Sequence, residues 1–145
     1  MVPVEFIDEL KPMKVLLIDD DKHIRQSLRN FFKGKISSFA AYENAEEAIT
    51  RLDSEPNDIY DVVICDNRLP GMNGLTFLEV IESISPDTIK ILTTANATRN
   101  IEAEAIRVGV NDFIRKPFDG KTIEKSLTMQ IQKRKEKNMK ITIRE

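Results

Sequence analysis

The chain has 145 residues, of which 41% are hydrophobic and 32% are charged, so it can bury the core of one globular domain. Its net charge of −2 predicts no general attraction to nucleic acid or to an anionic membrane surface. The single cysteine excludes an internal disulfide, and no apolar run is long enough to span a membrane. Because residues 1–14 also lack the pattern of a secretory signal, we expect a cytoplasmic protein.

Short apolar runs alternate with amphipathic stretches along the chain. Uninterrupted apolar runs are typical of parallel strands that are covered on both faces, and they predict strands over 15–18, 36–42, 62–65, 89–93 and 112–115. Apolar residues at helical spacing predict helices over 22–32, 45–55, 75–84, 99–108 and 119–131. Strands and helices that alternate through short connections predict an α/β fold, a doubly wound five-stranded parallel sheet with right-handed crossovers.

The predicted domain covers residues 13–131, after an N-terminal extension over residues 1–12. Residues 132–145 turn basic and lose clear periodicity, which indicates a helix extension or a linker. A dimerising helix is a secondary interpretation, because few apolar residues are available for a helix–helix contact. They are Ile123, Leu127, Ile131 and Met139. The tail has no elements that read bases, and we expect no direct binding to nucleic acid.

Polar side chains follow four of the predicted strands. The first strand is followed by three acids, the third by Asp66, the fourth by Thr94 and the fifth by Lys116. Each residue alone has an ordinary explanation; Asp21, for example, suits a helix cap. Together they are expected at one edge, because the carboxyl ends of parallel strands meet at the same rim of a sheet.

Asp19, Asp20 and Asp66 would repel one another at such a rim, which raises one or more of their pKa values. A hard divalent cation relieves this repulsion, and carboxylates suit Mg²⁺ or Mn²⁺. One carboxylate can then attack a phosphoryl group as a nucleophile. A lysine and a threonine hydroxyl can stabilise the transferred oxygens.

Four segments carry a family resemblance: VLLIDDDKHIR, VVICDNRLPGMNG, ILTTANA and DFIRKPF. In this order they resemble the receiver domain of two-component response regulators, the CheY-like superfamily, over about residues 13–129. The resemblance implies a flavodoxin-like fold with strand order 2-1-3-4-5. It implies a signalling domain whose only chemistry is its own phosphorylation and dephosphorylation.

The resemblance also implies the role of each site residue. Asp66 is the expected phosphoacceptor and a metal ligand, together with Asp19, Asp20 and the backbone carbonyl of Arg68. Thr94 is expected to bond the phosphoryl group, and the small Ala95 to leave room for it.

Lys116 is expected to pair with the phosphoryl group, with a cis bond to Pro117. Phe113 lies at the position of an aromatic switch. Phosphorylation would then change the surface of the fourth helix, fifth strand and fifth helix. The implied partners are a sensor histidine kinase or a histidine phosphotransfer protein, and the implied homodimer uses this surface or the C-terminal helix.

Three other functions fit the sequence less well. A phosphatase of the haloacid-dehalogenase type resembles this site, but its general acid would fall at Arg68, which cannot donate a proton. Flavin binding needs a phosphate-cradling loop after the first strand, where three acids stand instead. A degenerate receiver that only binds is disfavoured by the complete set of acids, Thr and Lys. His23 is expected on a solvated helix and Cys65 as a buried thiol.

Overall fold

A computed structural model describes residues 9–144, with side chains to residue 138. The strands are β1 (Lys14–Ile18), β2 (Ser38–Tyr42), β3 (Val62–Asp66), β4 (Ile89–Thr94) and β5 (Asp112–Arg115). The helices that alternate with them are α1 (Lys22–Phe32), α2 (Ala45–Ser54), α3 (Gly74–Ile84), α4 (Arg99–Val108) and α5 (Gly120–Arg144). No helix in this described part is long and apolar enough to cross a bilayer.

The strands form one parallel sheet in the order β2-β1-β3-β4-β5. The predicted α/β class, the flavodoxin-like topology and the strand order are therefore confirmed. After β1 the chain moves outward to β2, and after β3 it moves the other way to β4. The carboxyl ends of β1 and β3 consequently border the crevice at which such sheets bind ligands.

The two faces of the sheet bury separate apolar clusters. Leu16 and Ile18 of β1 face the cluster that holds Phe77 and Leu78 of α3. Leu17 faces the opposite cluster, which includes residues of α1 and α5. All five residues of β3 are buried, which explains why its run of apolar residues shows no polar alternation.

Side chains cap the helices that follow β1 and β3. Asp21 Oδ1 accepts the N–H of His23 at 2.8 Å and caps α1, as its position predicts. Asn73 Oδ1 accepts the N–H of Thr76 at 2.9 Å and caps α3. Both caps end the loops that follow β1 and β3, so local hydrogen bonds define where these loops stop.

At the C-terminus the structure decides between the two predicted alternatives, a helix extension and a linker. Helix α5 is continuous over 25 residues, so residues 132–144 extend a helix. Among the described side chains, Lys135 pairs with Glu9 and Arg134 donates to the carbonyl of Asp87, and these contacts hold the second half of α5 on the domain. The side chain of Met139 lies outside the described residues, as does most of the N-terminal extension.

Candidate functional site

The three predicted acids meet at the carboxyl edge of the sheet. Asp19 follows β1 and is fully buried, and Asp66 ends β3 and is 5% exposed. Asp20 is exposed, and one oxygen of each acid lies within 4.8 Å of one oxygen of the other two. The topology therefore brings Asp66 next to two carboxylates, Asp20 and Asp19, that precede it by 46 and 47 residues.

The ammonium group of Lys116 lies between two of these carboxylates. Its Nζ is 2.9 Å from Oδ2 of Asp19 and 2.9 Å from Oδ2 of Asp66. Lys116 follows β5, and its backbone N–H donates to the carbonyl of Thr94 at 2.8 Å. Its bond to Pro117 is cis, as the resemblance implies.

Burial and charge act against each other in this cluster. Burial raises the pKa of Asp19 above its ordinary value, although the N–H of Asp21 and the ammonium of Lys116 act to lower it. Burial acts to lower the pKa of Lys116, but Asp19 and Asp66 outweigh it and the pKa is raised. The lysine is therefore held as a cation next to an acid whose ionisation is opposed by burial.

The donor set fits a hard divalent cation. Asp19 Oδ1 accepts the N–H of Asp21 at 2.9 Å, whereas the buried Oδ2 makes only the ion pair with Lys116 and no well-directed hydrogen bond. A carboxylate oxygen in that state has a lone pair left for a metal. Three carboxylates supply the oxygen ligands that Mg²⁺ and Mn²⁺ prefer.

Arg68 reaches this cluster through its backbone. Its N–H lies 3.4 Å from Oδ1 of Asp66, and its side chain is exposed. A backbone so close to Asp66 is compatible with the expected contribution of its carbonyl to a metal site, which stays a prediction.

Thr94 is the last residue of β4 and is 3% exposed. Its Oγ1 accepts the N–H of Asn96 at 3.1 Å, and the neighbouring Ala95 is exposed. Thr93 is also buried, pairs with Asp66 in the β3–β4 register, and has an Oγ1 without a hydrogen-bond partner. Adjacent strand residues point to opposite faces, so the hydroxyls of Thr93 and Thr94 lie on different sides of the sheet.

Phe113 lies in β5, where it pairs in register with Leu92 of β4. Its ring is partly buried and packs against the apolar cluster on the side of α3 and α4. The position is consistent with the predicted aromatic switch, because the ring is neither locked in the core nor fully in solvent.

The sequence did not predict one contact beside this site, which joins α2 to the loop that follows Asp66. The carboxylate of Glu46, in the first turn of α2, accepts the N–H of Met72 in the loop that follows Asp66, at 3.1 Å. Acids in a first helical turn are expected from the helix dipole alone, so the pattern of residues contains no signal of a partner 26 positions away.

Comparison with known proteins agrees with this geometry. The sequence profile of the response regulator receiver domain family matches residues 15–128. The chain is 34% identical over 116 residues to the transcriptional regulatory protein FlgR of Helicobacter pylori, covering 79% of this chain and 29% of FlgR. It is 31% identical over 121 residues to the chemotaxis protein CheY-3 of Vibrio cholerae, covering 81% of this chain and 90% of that protein.

Solved structures show the same fold. A CheY-like response regulator receiver domain protein from Methanospirillum hungatei matches with a TM-score of 0.77 at 20% identity, covering 88% of this chain and 99% of that one. The chain spans 29% of FlgR and 26% of the next relative, the regulator DctD of Rhizobium meliloti, so those proteins contain much more than this domain. From the matched residues and the shared fold, the chain belongs to the response regulator receiver domain family.

Proposed function

We propose that this chain accepts a phosphoryl group on Asp66 from a histidine kinase or a histidine phosphotransfer protein. The observation that carries the proposal is the position of the Lys116 ammonium, 2.9 Å from both Asp19 and Asp66 at the carboxyl edge of the sheet. A partly buried cation between two acids balances negative charge before transfer and can pair with the phosphoryl oxygens after it. Asp66 lies at that rim, with 5% of its surface exposed.

The proposed transfer uses groups whose positions are described. An oxygen of Asp66 attacks phosphorus, the P–N bond to the donor histidine breaks, and the electron pair of that bond returns to the imidazole. Lys116 exchanges its contact with Asp66 Oδ2 for a phosphoryl oxygen. Mg²⁺ or Mn²⁺, bound by Asp19, Asp20, Asp66 and the Arg68 carbonyl, would offset charge on the transferred oxygens.

The proposed readout begins at Thr94. Its Oγ1 accepts an N–H in the present structure and has its own proton available for a phosphoryl oxygen. The exposed Ala95 leaves space beside it. A shift of Thr94 allows Phe113 to turn inward, which moves a two-state equilibrium of the surface formed by α4, β5 and α5.

The proposed partners follow from this surface. The relatives include regulators of transcription and a chemotaxis protein, so the output of this chain is proposed only as a change of protein partner. We propose a cytoplasmic receiver over residues 13–131, with residues 1–12 and 132–145 as extensions. A homodimer would form through the surface of α4, β5 and α5 or through the end of α5.

Phosphoryl transfer is tested by intact mass. Incubation with acetyl phosphate and Mg²⁺ should add one phosphoryl group to the wild type, and Asp66→Asn should abolish the addition. The matched control is Asp53→Asn, an exposed acid of α2, which should be labelled like the wild type. Equal labelling of Asp66→Asn would reject Asp66 as the acceptor. Rapid turnover of many small phosphate esters would instead support a phosphatase.

The role of the tail is tested by sedimentation. The phosphorylated chain is compared with the same chain truncated after residue 131. Dimerisation through the end of α5 predicts that truncation yields a monomer, whereas a dimer that survives truncation assigns the interface to α4, β5 and α5. A monomer in both forms rejects the homodimer.

A further inference from the structure

The loop between Asp66 and α3 is held from outside by one side chain. Oε2 of Glu46 accepts the N–H of Met72 at 3.1 Å, across 26 residues of sequence. The same carboxylate presses against Gly71, because a Cβ added there would overlap Oε2 of Glu46. Gly71 has φ of +75°, so the loop turns at this point in a conformation that suits glycine and exposes its backbone to the acid.

The remaining hydrogen bonds of the loop lie at its ends. The N–H of Asn67 donates to the carbonyl of Thr93 at 2.9 Å, and the N–H of Gly74 donates to the carbonyl of Asn67 at 2.9 Å. The N–H of Arg68 is 3.4 Å from Asp66 Oδ1, which is a long contact. Within the described residues 69–72, the bond to Glu46 is the hydrogen bond that reaches another helix or strand.

The side chain of Glu46 is exposed, but the helix that carries it is anchored. Glu46 lies between Asn44, which caps α2, and the buried Ala48, and its neighbour Ala45 is fully buried. An acceptor that projects from an anchored helix limits the positions open to the loop more than a contact within the loop would. Hydrogen bonds to a carboxylate are also stronger than those between neutral groups.

We infer that Glu46 is a positioning residue for the metal and phosphoryl site: it holds the loop that carries Arg68, so that the Arg68 backbone carbonyl is presented beside Asp66. This inference rests on the proposed function, in which that carbonyl binds the divalent ion. The bond between Glu46 and Met72 fixes the loop two residues before α3 begins, and Arg68 lies between this fixed point and the end of β3. Loss of the bond is expected to loosen the Arg68 backbone without removing any ligand.

The test compares Glu46→Ala with Glu47→Ala, because both acids stand in the first turn of α2 and share its dipole. Mg²⁺ is titrated into each protein and followed by the backbone amide resonances. In Glu46→Ala the Met72 amide should move upfield and Mg²⁺ affinity should fall about tenfold, the lower end of the range for groups that orient metal ligands. Glu47→Ala should match the wild type. Glu46→Gln, whose amide oxygen can still accept, should recover most of the affinity.

A second arm tests the contact itself through Gly71. Gly71→Ala places a methyl against Glu46 in the wild-type background but not in Glu46→Ala, while its backbone strain is the same in both. Gly71→Ala should therefore weaken Mg²⁺ binding by a larger factor in the wild-type background than in the Glu46→Ala background. Equal factors in the two backgrounds would show that the contact between Glu46 and Gly71 does not affect Mg²⁺ binding, which would overturn the inference.

The outcomes separate this inference from the proposed function. Mg²⁺ affinity of Glu46→Ala within twofold of Glu47→Ala overturns the inference, even if Asp66 is phosphorylated normally. A wild type that binds Mg²⁺ but is not phosphorylated on Asp66 rejects the proposed function, and the tenfold loss in Glu46→Ala would still support the positioning role. A wild type that binds no Mg²⁺ overturns the inference directly.

Discussion

The ammonium of Lys116 is 2.9 Å from Oδ2 of Asp66, although 50 residues separate them in the chain. The same ammonium is 2.9 Å from Oδ2 of the fully buried Asp19. One cation therefore balances two carboxylates at the end of the sheet. This balance makes the stability of the fold sensitive both to the lysine and to any other cation that binds there.

Lys116→Met should destabilise the metal-free protein by about 1–3 kcal/mol, because it leaves two neighbouring carboxylates without their cation. This loss is smaller than the roughly 3–5 kcal/mol for a broken buried pair, since the lysine side chain is 17% exposed. Mg²⁺ should stabilise this variant more than the wild type, because the ion then supplies the missing charge. Urea unfolding with and without Mg²⁺ measures both effects. Lys125→Met, at an exposed position of α5, is the control; an equal response of the two variants would contradict the prediction.

Gly74→Ala should destabilise the fold by about 3 kcal/mol and reduce phosphorylation of Asp66. A Cβ at Gly74 would overlap the carbonyl oxygen of Asp66, so β3 and α3 would have to separate. Gly34→Ala provides the comparison: Gly34 has φ of +80° and no atom within 4 Å of an added Cβ, so it should lose only about 1 kcal/mol to backbone strain. Guanidinium unfolding measures the loss of stability in both variants. Equal losses would mean that the contact between α3 and Asp66 is unimportant.

The Lys14–Asp58 pair should make stability depend on pH on the acidic side. Its atoms are 2.6 Å apart, and the hydrogen bond from Lys14 is the main cause that lowers the pKa of Asp58. An acid whose pKa is lowered by folding contributes stability above its unfolded value, and that contribution is lost as the pH falls through the lower folded value. Asp58→Asn should therefore be less stable than the wild type at pH 7.

The difference between wild type and Asp58→Asn should shrink steadily below about pH 4, where an ordinary aspartate becomes protonated. Urea midpoints across the pH series measure it, with the exposed Asp53→Asn as the control for loss of a negative charge. A difference that stays constant down to pH 2 would show that the pair is not its source.

Cys65 should resist alkylation in the folded state. It is fully buried in β3, and burial raises the pKa of its thiol well above the ordinary value. At pH 8 the folded protein should react with iodoacetamide at least about 100-fold more slowly than the protein in guanidinium, because the thiolate is the reactive form. Intact mass against time follows the reaction. Similar rates in the two states would place the thiol at the surface.

Much of the fold follows from short-range patterns. The ranges 22–32, 99–108 and 112–115 predicted for two helices and a strand agree with the structure, because each combines a local apolar period with a local end signal. Asp21 caps α1 and His23 is exposed, as their neighbours indicate. The extent of α5 could not be predicted in the same way, because its basic second half has no apolar period and is held by Glu9 and the Asp87 carbonyl.

The burial of Lys90 is another feature that local sequence patterns could not predict. It interrupts the apolar run of β4, yet its side chain is 1% exposed. Its ammonium pairs with Glu82 at 2.7 Å and donates to the carbonyl of Thr88 at 2.7 Å. A buried lysine is tolerated only where such partners converge. The partners of Lys90 come from α3 and the loop after it, so the sequence of β4 alone cannot predict them.

By itself, the sequence determined the order of strands and helices and the set of polar residues at the strand ends, because both depend on neighbours within a few positions. Only the tertiary structure decided that Lys116 lies between Asp19 and Asp66, that Asp20 stays exposed while Asp19 is buried, and that Glu46 holds the loop after Asp66. These relationships join residues far apart in the chain. They are set by how the helices pack on the sheet, which no local pattern of residues contains.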